Sequence, residues 1–155
     1  MSSQKTDETS VATPPGTVVV SERGTGKFAQ EIHMGNHVIY ADEPLGTGDD
    51  TGPNPYDLLL GALGACTSMT LRLFADRHGI PLEHVTVELR HDRVHIDDCD
   101  PSSGENCRIE RINRVITLDG DLTDEQRTTL LAVADRCPVH RTLHVDKEIV
   151  TTLAP

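Results

Sequence analysis

Hydrophobic positions along this chain switch period several times, and each switch marks an element. Val18-Val19-Val20 is a short β-branched run and predicts a first strand. Two alternating runs, Phe28 to Met34 and His37 to Ala41, flank Gly35-Asn36. A two-residue Gly-Asn loop between such runs predicts a hairpin. Asp42 to Asn54 is rich in Gly, Asp and Pro and reads as a loop. A long helix is then expected from Pro55, where a missing N–H costs nothing, to about His78, with Gly79 and Pro81 as its stop. Leu58, Leu59, Leu60, Ala62, Leu63, Ala65, Cys66 and Met69 cover nearly its whole circumference. A helix apolar all round is buried on every side. In a chain this short that predicts a sheet against one side and a second subunit against the other.

Val85 to Ile96 alternates and predicts a strand, as does Ile109 to Leu118, with a loop over Asp97 to Asn106. Thr123-Asp124-Glu125-Gln126 is a capping box. The helix behind it carries Leu130, Leu131, Val133 and Ala134 and is expected to end near Cys137-Pro138. Lys147 to Leu153 reads as a last strand. The order is β-β-β-α-β-β-α-β, an α+β pattern with an antiparallel sheet. Residues 1–16 are rich in Ser, Thr, Asp, Glu and Pro and are expected to form a disordered tail before one domain over 17–155.

Composition narrows the function. The chain has 155 residues, 36% of them hydrophobic and only 3% aromatic, which implies an aliphatic core that a partner subunit helps complete. A net charge of −11 argues against nucleic acid and against anionic membranes, since no basic patch exists to neutralise phosphates. No run of roughly eighteen uncharged apolar residues is present, so no bilayer span is expected. Met1 to Ser10 lacks the apolar core of an export signal, which leads to the expectation of a cytoplasmic protein. In that reducing compartment four cysteines imply catalysis, sensing or metal binding before structural staples.

Cys66 lies inside the long apolar helix and Cys137 closes the later one in Cys137-Pro138-Val139-His140. A cysteine on an apolar helix is by itself an ordinary small core residue. Two of them at helix positions read as a redox pair, whose reactive form is the thiolate. A second cluster comprises His91, Arg93, His95, Asp97, Asp98, Cys99 and Cys107. Tetrahedral zinc is chemically possible there. The spacing matches none of the usual zinc patterns, so no metal is expected and a solvated strand with two free thiols is preferred. There is no Gly-x-Ser-x-Gly hydrolase signature. Gly24-Thr25-Gly26 lacks the strand–helix context of a nucleotide fingerprint.

Taken in order, Gly52-Pro53-Asn54-Pro55, the apolar helix through Cys66, Gly120-Asp121-Leu122 before the capping box, and Cys137-Pro138-Val139-His140 resemble the OsmC/Ohr family of thiol-dependent hydroperoxide reductases. The resemblance spans about Thr17 to Leu143. It implies an intertwined homodimer with its active sites at the subunit interface. It also implies that Cys66 is the peroxidatic thiolate and Cys137 the resolving thiol, with no cofactor. The substrate implied is an organic hydroperoxide and the reductant a dithiol, of lipoyl type or another small dithiol. The family places an arginine and a carboxylate beside the reactive cysteine. Arg23 and Asp57 are the candidates here, although Tyr56 stands where the Ohr branch has its Glu, and Arg23 lacks the glycine-glycine-arginine flanks. These departures place the chain nearer the OsmC-like branches. They keep a second reading open, a redox sensor or small-ligand binder on the same fold.

Overall fold

The computed structural model describes residues 13–95 and 108–154. The chain divides between Leu58 and Leu59 into two compact units.

The N-terminal unit is a three-stranded antiparallel sheet in the order β1 (Val18–Glu22), β2 (Gln30–Met34), β3 (His37–Ala41). Met34 pairs with His37 across the two-residue turn, and Gly35 takes φ 59° there, as a tight hairpin demands. Thr13 falls within the stretch read as a tail, yet it is clasped to this turn. Its backbone N–H bonds the Gly35 carbonyl at 3.3 Å, and its hydroxyl accepts from the Gly35 N–H at 2.6 Å. The loop after β3 is organised by Asp42, whose carboxylate accepts from the Glu43 N–H, the Thr51 N–H and the Thr51 hydroxyl. Burial pushes the Asp42 carboxyl up, and these donors together with the Asp49 N–H more than offset it, so its pKa lies below the ordinary value.

Helix α1 runs from Pro55 to His78, and Gly79 follows at φ 63°. The sequence pattern predicts both ends. The helix is 24 residues long, and its most apolar window has a mean hydropathy of 1.5, enough by length and composition to cross a bilayer. Core helices pass the same test, and one stripe of α1, Leu63, Gly64, Thr67, Leu71 and Ala75, is buried within the protein. The opposite stripe is not covered among the described residues. Met69 is 70% exposed and Leu73 52%. The all-round burial expected from the sequence is therefore met on one side only.

The C-terminal unit adds β4 (His84–His95) and β5 (Arg108–Asp119), paired antiparallel as their own two-stranded sheet from His84↔Asp119 to His95↔Arg108. The strands are thus arranged as two sheets where the sequence suggested one. Helix α2 (Asp124–Ala134) starts at the predicted capping box, with the Thr123 hydroxyl accepting from the Gln126 N–H and the Gln126 side chain accepting from the Thr123 N–H. The core of the unit is aliphatic: Leu71, Ala75, Leu82, Leu130, Val133 and Ala134, with Phe74, Ile116 and Leu118 packed around them. Leu71 is fully buried at its centre. Leu71→Ala is expected to lower unfolding stability by about 3 kcal/mol, the usual loss when a buried leucine leaves a cavity, and chemical denaturation checks it.

Two elements differ from the expected order. A seven-residue helix, α3 (Pro138–His144), begins where the second helix was expected to stop, with Pro138 in its first turn. Lys147 to Leu153 forms no strand; Ile149 is 87% exposed and Leu153 98%. The run is β-branched, but a strand needs an edge to pair with and a surface to cover. Neither is supplied to it among the described residues. The class remains α+β.

Candidate active site

Cys66 sits near the middle of α1, between its buried and uncovered stripes, and is half-buried. Cys137 caps α3 and is fully buried. The fold brings these two free thiols close enough for each to shift the other's pKa. Burial pushes the Cys66 thiol up, and donation of its proton to Cys137 pushes it further. Burial also acts to raise Cys137, but there the donors win. The Cys66 S–H, the His140 N–H, the Thr67 hydroxyl and the Val139 N–H together hold Cys137 below the ordinary thiol value. When the pair loses its first proton, these opposite shifts favour the charge on Cys137 and the remaining proton on Cys66. Two thiols that interact this strongly lose their protons in two steps belonging to the pair.

Of the remaining shell, Thr67, Arg114 and Asp135 were not singled out in the sequence, while His140 stands in the Cys137-Pro138-Val139-His140 motif. Thr67, fully buried, donates to the Leu63 carbonyl at 2.8 Å and accepts from Arg114 Nη1 at 3.0 Å. Arg114 Nη2 reaches Asp135 Oδ1 at 2.7 Å, and His140 Nδ1 stands 3.7 Å from the same oxygen. One sequence signal was available. On β5 the inward positions are Ile112, Arg114, Ile116 and Leu118, so Arg114 is a charged residue on an otherwise apolar face. Beside this shell lies a cavity of about 570 Å³, lined on its apolar side by Leu63, Ile112, Ile116, Leu131 and Leu143 and on its polar side by Glu110, Arg114, Asp135, His140 and His144.

Arg23 and Asp57 find their partners in the N-terminal unit. The Arg23 guanidinium lies over the Tyr40 ring, 4.2 Å from its centre. Asp57 stands at the third position of α1 and forms a reciprocal cap with Asn54. Its N–H donates to Asn54 Oδ1 at 3.0 Å, and its carboxylate accepts from Asn54 Nδ2 at 2.7 Å and from the Asn54 N–H at 3.3 Å. Of the second cluster, His91 and Arg93 both bond Glu110 across the β4–β5 ladder, at 2.5 Å and 2.8 Å. Asp97, Asp98, Cys99 and Cys107 lie outside the described residues.

Comparison with known proteins places this geometry. No curated protein matches the chain. Solved structures do. An OsmC-like protein from Mycoplasma pneumoniae is 22% identical with a TM-score of 0.66, covering 82% of this chain and 85% of that one. The organic hydroperoxide resistance protein OhrB of Bacillus subtilis is 23% identical with a TM-score of 0.58, covering 83% and 90%. An organic hydroperoxide resistance protein from Elizabethkingia anophelis, with thiocyanate bound, is 19% identical with a TM-score of 0.59, covering 83% and 88%. At these identities the likeness is one of fold. Residues 47–152, most of the chain and both cysteines of the pair, match the family model of OsmC-like protein, and the chain belongs to that family.

Proposed function

We propose that the protein is a thiol-dependent peroxidase that reduces organic hydroperoxides to alcohols. The observation that carries this is the contact between Cys66 and Cys137, two free thiols supplied by separate helices. In the first step the Cys66 proton passes to Cys137, and the Cys66 thiolate attacks the distal oxygen of the hydroperoxide. The O–O bond breaks, Cys66 becomes a sulfenic acid, and the alkoxide leaves with a proton taken from Cys137 or solvent. In the second step the Cys137 thiolate attacks the Cys66 sulfur, hydroxide leaves, and a disulfide forms. An external dithiol, of lipoyl type or another small kind, reduces it by exchange. The apolar side of the cavity supports an alkyl substrate. The uncovered stripe of α1 beside Cys66 supports a homodimer that closes the site. A cytoplasmic setting fits the need for a reductant, and the chemistry calls for no cofactor.

A redox sensor or small-ligand binder on the same fold is the second reading. It is favoured by Asp57, whose carboxylate is engaged in the helix cap. Counting turnovers separates the two. Reduced protein given an excess of cumene hydroperoxide and dihydrolipoamide is expected to consume many equivalents per protein. Consumption that stops at one equivalent makes it a sensor.

A further inference from the structure

A thiolate beside a second thiol is stabilised by a positive group, and within the C-terminal unit Arg114 is tied to both cysteine-bearing segments. Its side chain is only 13% exposed. A guanidinium that buried must be fully partnered, or its lost hydration is uncompensated. Its partners are the informative part. Nη1 donates to the Thr67 hydroxyl at 3.0 Å and to the Ala134 carbonyl at 3.3 Å, while Nη2 donates to Asp135 at 2.7 Å. Thr67 directly follows Cys66 in α1. The same Ala134 carbonyl accepts the backbone N–H of Cys137 at 3.3 Å. One side chain thus fixes the segments that present both sulfurs.

The Thr67 hydroxyl owns a single proton. It is directed at the Leu63 carbonyl at 2.8 Å, and the same hydroxyl is one of the groups that hold the Cys137 thiol below its ordinary value. Because Arg114 donates to the oxygen, that lone pair is occupied and the O–H bond is polarised. When negative charge settles on Cys137, the proton has a better acceptor than a carbonyl and turns to the sulfur. We propose that Arg114 is the positioning residue of the thiol pair, delivering a polarised Thr67 hydroxyl to Cys137, and that Asp135 sets how much of its charge reaches the sulfurs. This deepens the peroxidase reading and rests on it only for its biological use.

Among the described residues, the charged and titratable groups that line the cavity beside the pair are Arg114 and Glu110 from β5, Asp135 from the end of α2, and His140 and His144 from α3. His140 approaches the same Asp135 oxygen as Arg114, so its contribution has to be separated.

The test is a pH titration of the ultraviolet thiolate absorbance of the reduced full-length protein, carried out with Cys99→Ser and Cys107→Ser in place. Thr67→Val preserves shape and removes the hydroxyl; its first thiol midpoint is expected to rise by about one pH unit. Arg114→Met is expected to rise at least as far, with Arg114→Lys between it and wild type, since lysine keeps the charge but not the fork. Asp135→Asn is expected to move the midpoint down. These shifts should persist with His140→Gln added. An unmoved midpoint in folded Thr67→Val overturns the proposal, as does their disappearance with His140→Gln. Should Arg114→Met fail to fold, the opposite shifts of Thr67→Val and Asp135→Asn still decide it. No hydroperoxide enters the assay, so these shifts can fail while turnover stands, or hold in a protein that turns nothing over.

Discussion

Cys66→Ser is expected to reduce hydroperoxide consumption to the background rate, a loss of at least about a thousandfold, because a serine hydroxyl of ordinary acidity is a far weaker nucleophile than a thiolate. Cys137→Ser is expected to behave differently. It should consume one equivalent in a burst and then slow, with a sulfenic acid accumulating on Cys66 that dimedone traps. Burial remains a cause of the raised Cys66 pKa in that variant, but the negative partner that raised it further is gone. The pH midpoint for Cys66 reactivity should therefore move down relative to wild type, even as turnover falls. Both results are read by coupling oxidation to dithiol consumption and by mass spectrometry of the Cys66 peptide. Full turnover in Cys66→Ser would remove the nucleophile from this scheme. A burst with no sulfenic acid in Cys137→Ser would reassign the resolving thiol.

The contact behind these expectations was only partly legible in the sequence. Helix α1 was readable at both ends, because Pro55 and Gly79 act through local backbone geometry. The capping box at Thr123 and the hairpin at Gly35 were readable for the same reason. The pairing of Cys66 and Cys137 was read from two thiols at helix positions and from the resemblance, and their proximity from no local pattern, since it depends on how α1, α2 and α3 pack. Arg114 was missed because the alternation of β5 was read for its apolar members and not for the charge that interrupts them. Asp57 was read as either a helix-end charge or a site carboxylate, and the reciprocal bonds with Asn54 show it at work as a cap. Lys147 to Leu153 misled because β-propensity reports fit to a half-buried surface, which that segment lacks among the described residues. The stretch Pro138–His144 was passed over although proline in a first helical turn favours a start as well as marking an end.

Gly120 carries a stability requirement that the sequence motif could not convey. It joins β5 to the capping box of α2 at φ 133°. A Cβ there would lie 2.2 Å from the Pro81 carbonyl oxygen and 3.1 Å from the Glu83 nitrogen. Both are backbone atoms of the segment that leads into β4, which is pinned by the Glu83 N–H bond to the Asp119 carbonyl at 2.8 Å. Neither side can yield as a flexible side chain would. Gly79 is the natural control, for it has φ 63° with nothing within 4 Å of its missing Cβ. Gly79→Ala is expected to cost about 1 kcal/mol, the ordinary penalty for a left-handed non-glycine residue. Gly120→Ala carries the conformational penalty and the backbone clash together, and is expected to cost about 3 kcal/mol or more. Urea unfolding of both variants beside wild type measures the difference. Equal losses would mean that the β4 entry moves aside freely. The larger loss at Gly120 would show that the β4–β5 sheet and the start of α2 are held in register by one close backbone approach, the same register that carries Arg114 to the thiol pair.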